Sequence, residues 1–118
     1  MRMGDIILYD GDEQTVVFVH QESDRITGVW LIGYGMIFSE SEIRQMRLLD
    51  HNPLYAHTYN VLLACERNNT EVTYKKRKCK VEQMSNLVTF RIYGNGFEEK
   101  KFFFDLLAKD GNHIIDWV

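Results

Sequence analysis

Proline is almost missing, with a single residue, Pro53, in 118 positions, and glycine contributes only eight. Collagen-like and proline-rich classes are excluded at once. Cysteine is scarce too: Cys65 and Cys79 are the whole complement. A secreted, disulfide-built scaffold of this size would carry more. Long apolar runs are also lacking. The longest, Val29 to Phe38, is about half of the roughly 20 residues that a membrane-spanning helix needs. The start, M-R-M-G-D-I-I-L-Y-D, has no apolar h-region and no cleavage site. The expectation is a cytoplasmic protein with two reduced thiols. An excess of positive charge is absent as well, since the net charge is −3, unlike that of a generic nucleic-acid binder.

What is present suits an ordinary globular chain: 45% hydrophobic and 26% charged residues. A chain of this length fits one domain, 1–118, whose core needs no staple. The charge is divided unevenly. Residues 1–52 carry four Lys/Arg against nine Asp/Glu, a net −5, and residues 53–118 carry ten against eight, a net +2.

The segment Gly28–Arg47 organises the first half. Val29 to Ile32 is continuously apolar and places Trp30 in a doubly buried strand. Gly33 and Gly35 punctuate the run, and at Ser39 a helix begins. Ser39 and Glu42 have the spacing of a capping box, and Phe38 is placed to staple onto Ile43. Ahead of it, Gly4–Tyr9, Thr15–His20 and Arg25–Ile32 read as strands separated by the polar turns 10–13 and 21–24. This order, a G-D-I-I entry strand, two hairpins and a short helical turn, resembles a small SH3-like barrel over residues 3–50. The resemblance implies fold only and carries no function.

Leu48–Pro53 reads as a short linker between the half 1–50 and the half 54–118. The next stretch, 53–67, is open to two readings. Pro53 suits a first helical position after Asn52, and Tyr55, Tyr59, Leu62, Leu63 and Glu66 would form a stripe. As a strand, Tyr59, Val61, Leu63 and Cys65 share a face and Asn68-Asn69 supplies a hairpin turn. The strand is preferred, because Thr70–Val81 calls for a partner. Leu87–Tyr93, the turn Gly94-Asn95-Gly96, Glu98–Leu107 and an apolar end, His113–Val118, then continue as an antiparallel meander. The expected fold class is therefore mainly β: an SH3-like barrel or antiparallel sheet with one short helix, followed by a β-meander.

The most distinctive motif is Tyr74-Lys75-Lys76-Arg77-Lys78-Cys79-Lys80, with five cations in the last six residues. Neither face of such a strand is buried, because unpaired charges cost several kcal/mol (~) inside a protein. The segment must be an edge strand or a projecting hairpin arm. Two uses fit it. One is edge protection by lysines; the other is contact with an anionic partner, either nucleic acid or an acidic protein surface. Tyr74, Arg67 and Arg91 are placed to add stacking or phosphate contacts. Tyr34, between two glycines at a strand bend, sits where ligand-reading barrels carry binding aromatics.

Catalytic and metal-binding signatures are not found. His20, His51, His57, His113 and the cysteines lack zinc spacing. Paired across an Asn68-Asn69 turn, Cys65 would face Val72 and Cys79 would face Thr58, too far apart to bridge. Asp10-Gly11-Asp12-Glu13 lacks the later ligands of a calcium loop. Gly33-x-Gly35 lacks the third glycine of a phosphate cradle. No cofactor is expected. The leading expectation is a non-catalytic binding or accessory module of a bacterium or phage, with protein or nucleic acid as partner. The alternatives are a subunit of a homo-oligomer, using the Phe102–Phe104 face or a free edge, and a small enzyme or ligand binder with a site near His57 or His113.

Overall fold

The structure, a computed structural model, describes residues 1–107 together with the backbone of 116–117. It is mainly β, with two antiparallel five-stranded sheets. The chain divides into two compact units, Met1–Pro53 and Leu54–Val118.

In the first unit, β1 (Asp5–Tyr9), β2 (Asp12–Glu22), β3 (Arg25–Leu31), β4 (Gly35–Ile37) and β5 (Arg47–His51) form one sheet in the order β4-β3-β2-β1-β5. Asp10 and Gly11, both with positive φ, make the two-residue turn that closes Tyr9 onto Asp12. That backbone hand matches the twist of paired strands, so Asp-Gly is a strong hairpin signal. A core of Ile7, Val16, Val29, Leu31 and Ile43 sits against this sheet. Ile43 comes from the short helix α1 (Glu40–Gln45), whose first turn is closed by the Ser39 hydroxyl accepting from the Glu42 amide at 3.3 Å.

Three expectations for this unit are corrected. Phe38 does not staple onto Ile43; it is 69% exposed, and its ring lies over Gly28. Trp30 is half-buried rather than buried on both faces. The segment read as a linker is mostly the strand β5, paired antiparallel with β1. Its anchor is Asp5, 3% exposed, whose carboxylate meets His51 Nδ1 at 2.7 Å and accepts from the Arg2 amide at 2.8 Å. A buried carboxylate without such partners would be strongly unfavourable, so the pairing fixes where β5 docks.

The second unit opens with a correction. Residues 54–67, preferred as a strand, form the helix α2 (Leu54–Arg67). Thr58, Leu62 and Cys65 are its buried positions, with the i, i+4, i+7 spacing of a helix face. Asn69 has positive φ, as the hairpin reading required, but it ends a helix. Thr70 donates to the Cys65 carbonyl at 2.9 Å and Asn69 to that of Glu66 at 3.2 Å, the paired bonds of a Schellman cap. One left-handed asparagine serves either structure.

Thr70–Val81 consequently finds its partner within itself. β6 (Val72–Tyr74) turns through Lys75-Lys76 into β7 (Arg77–Gln83), with Tyr74 opposite Arg77 and Val72 opposite Cys79. The cross-strand pairs expected from an Asn68-Asn69 turn do not occur. β8 (Thr89–Gly94) and β9 (Phe97–Phe102) follow, joined by Asn95-Gly96, and a 3-10 turn spans Phe103–Leu106. A final strand, β10 (Asp116–Trp117), pairs with β6, giving the order β10-β6-β7-β8-β9. The remaining positions of the apolar end, among them His113, Ile114, Ile115 and Val118, lie outside the described residues. Helix α2 packs on β7 and on the 3-10 turn. Among the described residues no helix is long and apolar enough to cross a membrane.

Candidate anion-binding surface

Three local features create the basic surface. The turn Lys75-Lys76 puts two ammonium groups at a hairpin tip, and both residues take left-handed backbone, φ 51° and 63°. Past the turn, β7 alternates. Cys79 and Val81 face inward and are buried, while Lys78 and Lys80 take the opposite face. The sheet order bears on the edge-protection reading of the motif. β7 lies between β6 and β8, so its lysines do not guard a sheet edge. The expected edge strand or projecting arm with neither face buried is therefore corrected: only the Lys75-Lys76 turn projects, and from Arg77 onward the run is an inner strand that buries Cys79 on one face and carries Lys78 and Lys80 on the other.

Lys75, Lys76, Arg77 and Lys78 are exposed, and Lys80 is half-buried. Lys75 is engaged: its ammonium lies 2.6 Å from Glu99 Oε1 and 5.5 Å from the centre of the Tyr74 ring. Arg77 stacks over Phe97 at 4.8 Å. Among the described residues, Lys76, Arg77, Lys78 and Lys80 form no ion pair. Lys76, Arg77 and Lys78 are exposed to water.

Tyr74 is corrected from a surface contact to a core residue. It is 2% exposed, and its hydroxyl donates to Glu99 Oε2 at 2.7 Å. Burial, reinforced by that carboxylate, pushes the phenol well above its ordinary range. Glu99 moves the other way: the Lys75 ammonium and the Tyr74 hydroxyl hold its carboxyl below the usual value. Glu99 thus ties the hairpin tip to β9 across the sheet. Gly94 permits a close approach beside it. A Cβ there would meet the Lys78 carbonyl oxygen at 2.7 Å.

A groove of about 890 Å³ runs along this end of the sheet. Arg77, Lys78 and Lys80 line it with Tyr93, Asn95 and Phe97, and Glu71 is its one carboxylate among the described residues. Tyr93 stands opposite Lys80 in the β7–β8 ladder. The Arg91 guanidinium covers its ring at 3.9 Å and is itself held by Glu82 at 3.3 Å and Glu98 at 3.7 Å. Arg91 is therefore largely neutralised and supports the ring. Sequence reasoning missed Tyr93, Asn95 and Phe97 as members of the surface. The signal was the Asn95-Gly96 turn, which fixes β8 against β9, but nothing local fixes β8 against β7.

The other candidates lie elsewhere. Tyr34, 41% exposed, belongs to the first unit, in the turn between β3 and β4. Its hydroxyl donates to Asp12 Oδ2 at 2.8 Å, which raises its pKa, and its ring stands at right angles to Tyr9 with centres 5.0 Å apart. His57 is on the exposed side of α2, Arg67 is exposed at its last turn, and His113 lies outside the described residues. Among the described residues no three His, Cys, Asp or Glu side chains converge as a metal site. Cys65 and Cys79 are free and buried, and burial raises both thiols above their usual range. A buried, protonated thiol is a poor nucleophile.

Compared with protein-family models, with curated proteins and with solved structures, the chain matches none of them.

Proposed function

We propose that this protein is a non-catalytic binding module, a cytoplasmic accessory protein of a bacterium or phage, that holds an anionic partner on the basic hairpin of its second unit. The first unit, in this reading, is an SH3-like scaffold. One observation carries the proposal: Arg77, Lys78 and Lys80 line one groove whose lining includes a single carboxylate, Glu71, among the described residues, Lys76 is exposed at the adjoining hairpin turn, and none of the four forms an ion pair among the described residues. A surface of one sign attracts ions of the other and raises the encounter rate. The hairpin backbone supports the same reading. Non-glycine residues in left-handed backbone cost roughly 1–2 kcal/mol each, and Asn-Gly is the favoured pair for this turn. Lysines held there at a cost to the fold fit a functional demand on the tip.

Retention on immobilised heparin tests the proposal. The wild-type protein is expected to elute with added salt, and the combined variant K76E/R77E/K78E/K80E is expected to pass through unretained while keeping its circular dichroism. Equal retention of the two proteins would remove the hairpin from the account.

A further inference from the structure

The groove holds more than cations, and its other residues narrow the partner. We propose that it seats a nucleotide unit, with phosphate on Lys78 and Lys80 and the base against Tyr93; the proposal rests on the anionic-partner reading of the same hairpin.

Lys78 and Lys80 project from one face of β7, two residues apart, which places their backbone origins about 6.7 Å apart along the strand. That separation is on the scale of one step along a sugar–phosphate chain. Lys80 stands directly opposite Tyr93, so a phosphate held by the ammonium brings its sugar and base over the neighbouring strand. Tyr93 is built as a platform there. Arg91 occupies one face of its ring at 3.9 Å, with Glu82 and Glu98 fixing Arg91 in turn, and Tyr93 lines the groove while Arg91 does not, so the side away from Arg91 is the one offered to a base. An aromatic ring held beside a basic track is the arrangement on which unpaired bases stack. Asn95, which also lines the groove, adds an amide that both donates and accepts, which suits the edge of a base.

An acidic peptide would use the lysines but give no role to Tyr93 or Asn95. A duplex keeps its base faces stacked inside and would likewise leave Tyr93 idle. The groove volume of about 890 Å³ falls within the range of sites that take small organic ligands, roughly 300–1,000 Å³. The groove therefore has room for a nucleotide unit, whether free or within a single strand.

Fluorescence anisotropy of the full chain with a short labelled thymidine oligonucleotide tests this, with unlabelled oligonucleotide, inorganic polyphosphate of equal charge and adenosine diphosphate as competitors. The unlabelled oligonucleotide is expected to compete better than polyphosphate. Tyr93→Ala is expected to weaken oligonucleotide binding roughly 5- to 150-fold, the range that one stacked base supplies, and to leave polyphosphate binding unchanged. Tyr93→Phe keeps the ring and is expected to keep the affinity, which separates stacking from loss of fold. Competition by the diphosphate at comparable concentration identifies a free nucleotide as the occupant, and competition by the oligonucleotide alone identifies a single strand. If polyphosphate competes as well as the oligonucleotide, and Tyr93→Ala affects both alike or neither, the nucleotide seat is overturned while the basic hairpin stands. If no polyanion binds, both fall.

Discussion

Lys76 offers a perturbation in which fold and function pull in opposite directions. It occupies the second position of the β6–β7 turn with φ 63° and is exposed. A side chain in that region brings Cβ close to the following carbonyl oxygen, at a cost of about 1–2 kcal/mol that glycine does not incur. Glycine also gains freedom in the unfolded chain, which takes back roughly 0.5–1 kcal/mol. Lys76→Gly should therefore stabilise the protein by about 0.5–1 kcal/mol, whereas Lys76→Ala keeps the unfavourable backbone and should not. For a chain near 100 residues, 1 kcal/mol corresponds to about 4–8 °C in Tm, so the gain for Lys76→Gly is expected at about 2–8 °C. Both variants lose the same ammonium and should lose the same share of polyanion affinity. Thermal melts followed by circular dichroism, beside heparin elution, read both effects. A glycine variant no more stable than the alanine variant would refute the strained-turn argument. Either variant eluting like wild type would refute the role given to the tip.

Other outcomes follow from the same structure. Gly94→Ala should destabilise by about 1–3 kcal/mol, as overpacking does, because its Cβ would meet the Lys78 backbone oxygen at 2.7 Å; urea unfolding with a wild-type midpoint would contradict that approach. Leu62→Ala should cost about 2–5 kcal/mol and Leu63→Ala clearly less, since Leu62 is fully buried on α2 and Leu63 only partly; the reverse order in denaturant melts would restore the strand reading. Glu99 has a depressed folded pKa, so its contribution to stability is present above its unfolded pKa and is lost as pH falls through the folded value. The urea midpoint should therefore drop in the acid range below about pH 4.5, and Glu99→Gln should flatten that drop; an unchanged pH profile in the variant would remove the Lys75–Glu99–Tyr74 tie.

The elements that the sequence specified locally are those with turn or cap chemistry in the chain itself. Asp10-Gly11 and Asn95-Gly96 mark their hairpins, and Ser39 with Glu42 marks α1. The errors arose where one local signal serves two structures. Asn68-Asn69 fits a hairpin turn or a helix end, because both need left-handed backbone, and the apolar positions of 59–65 fit either period. Tertiary packing decides for the helix, by burying Thr58, Leu62 and Cys65 together. The Lys75-Lys76 turn carried no turn signal at all, since lysine is not favoured there. Without a turn signal there, Tyr74 reads as a neighbour of the lysines, whereas the fold buries it. Charge alone was enough to say that the lysines face water; that Tyr93 and Asn95 join them depends on the β7–β8 register, which no short motif states.

The central claim is that four cations, Lys76, Arg77, Lys78 and Lys80, which form no ion pair among the described residues, meet an anion and that Lys75, paired with Glu99, does not. The most direct measurement is the salt dependence of binding to a labelled single-stranded oligonucleotide. Four contacts predict a slope of log affinity against log salt near −3, since each neutralised phosphate contributes about 0.7. Lys78→Met should make the slope shallower by about 0.7, whereas Lys75→Met should leave it nearly unchanged because that ammonium already sits on Glu99. A slope near zero, or an equal change from Lys75 and Lys78, would contradict the account.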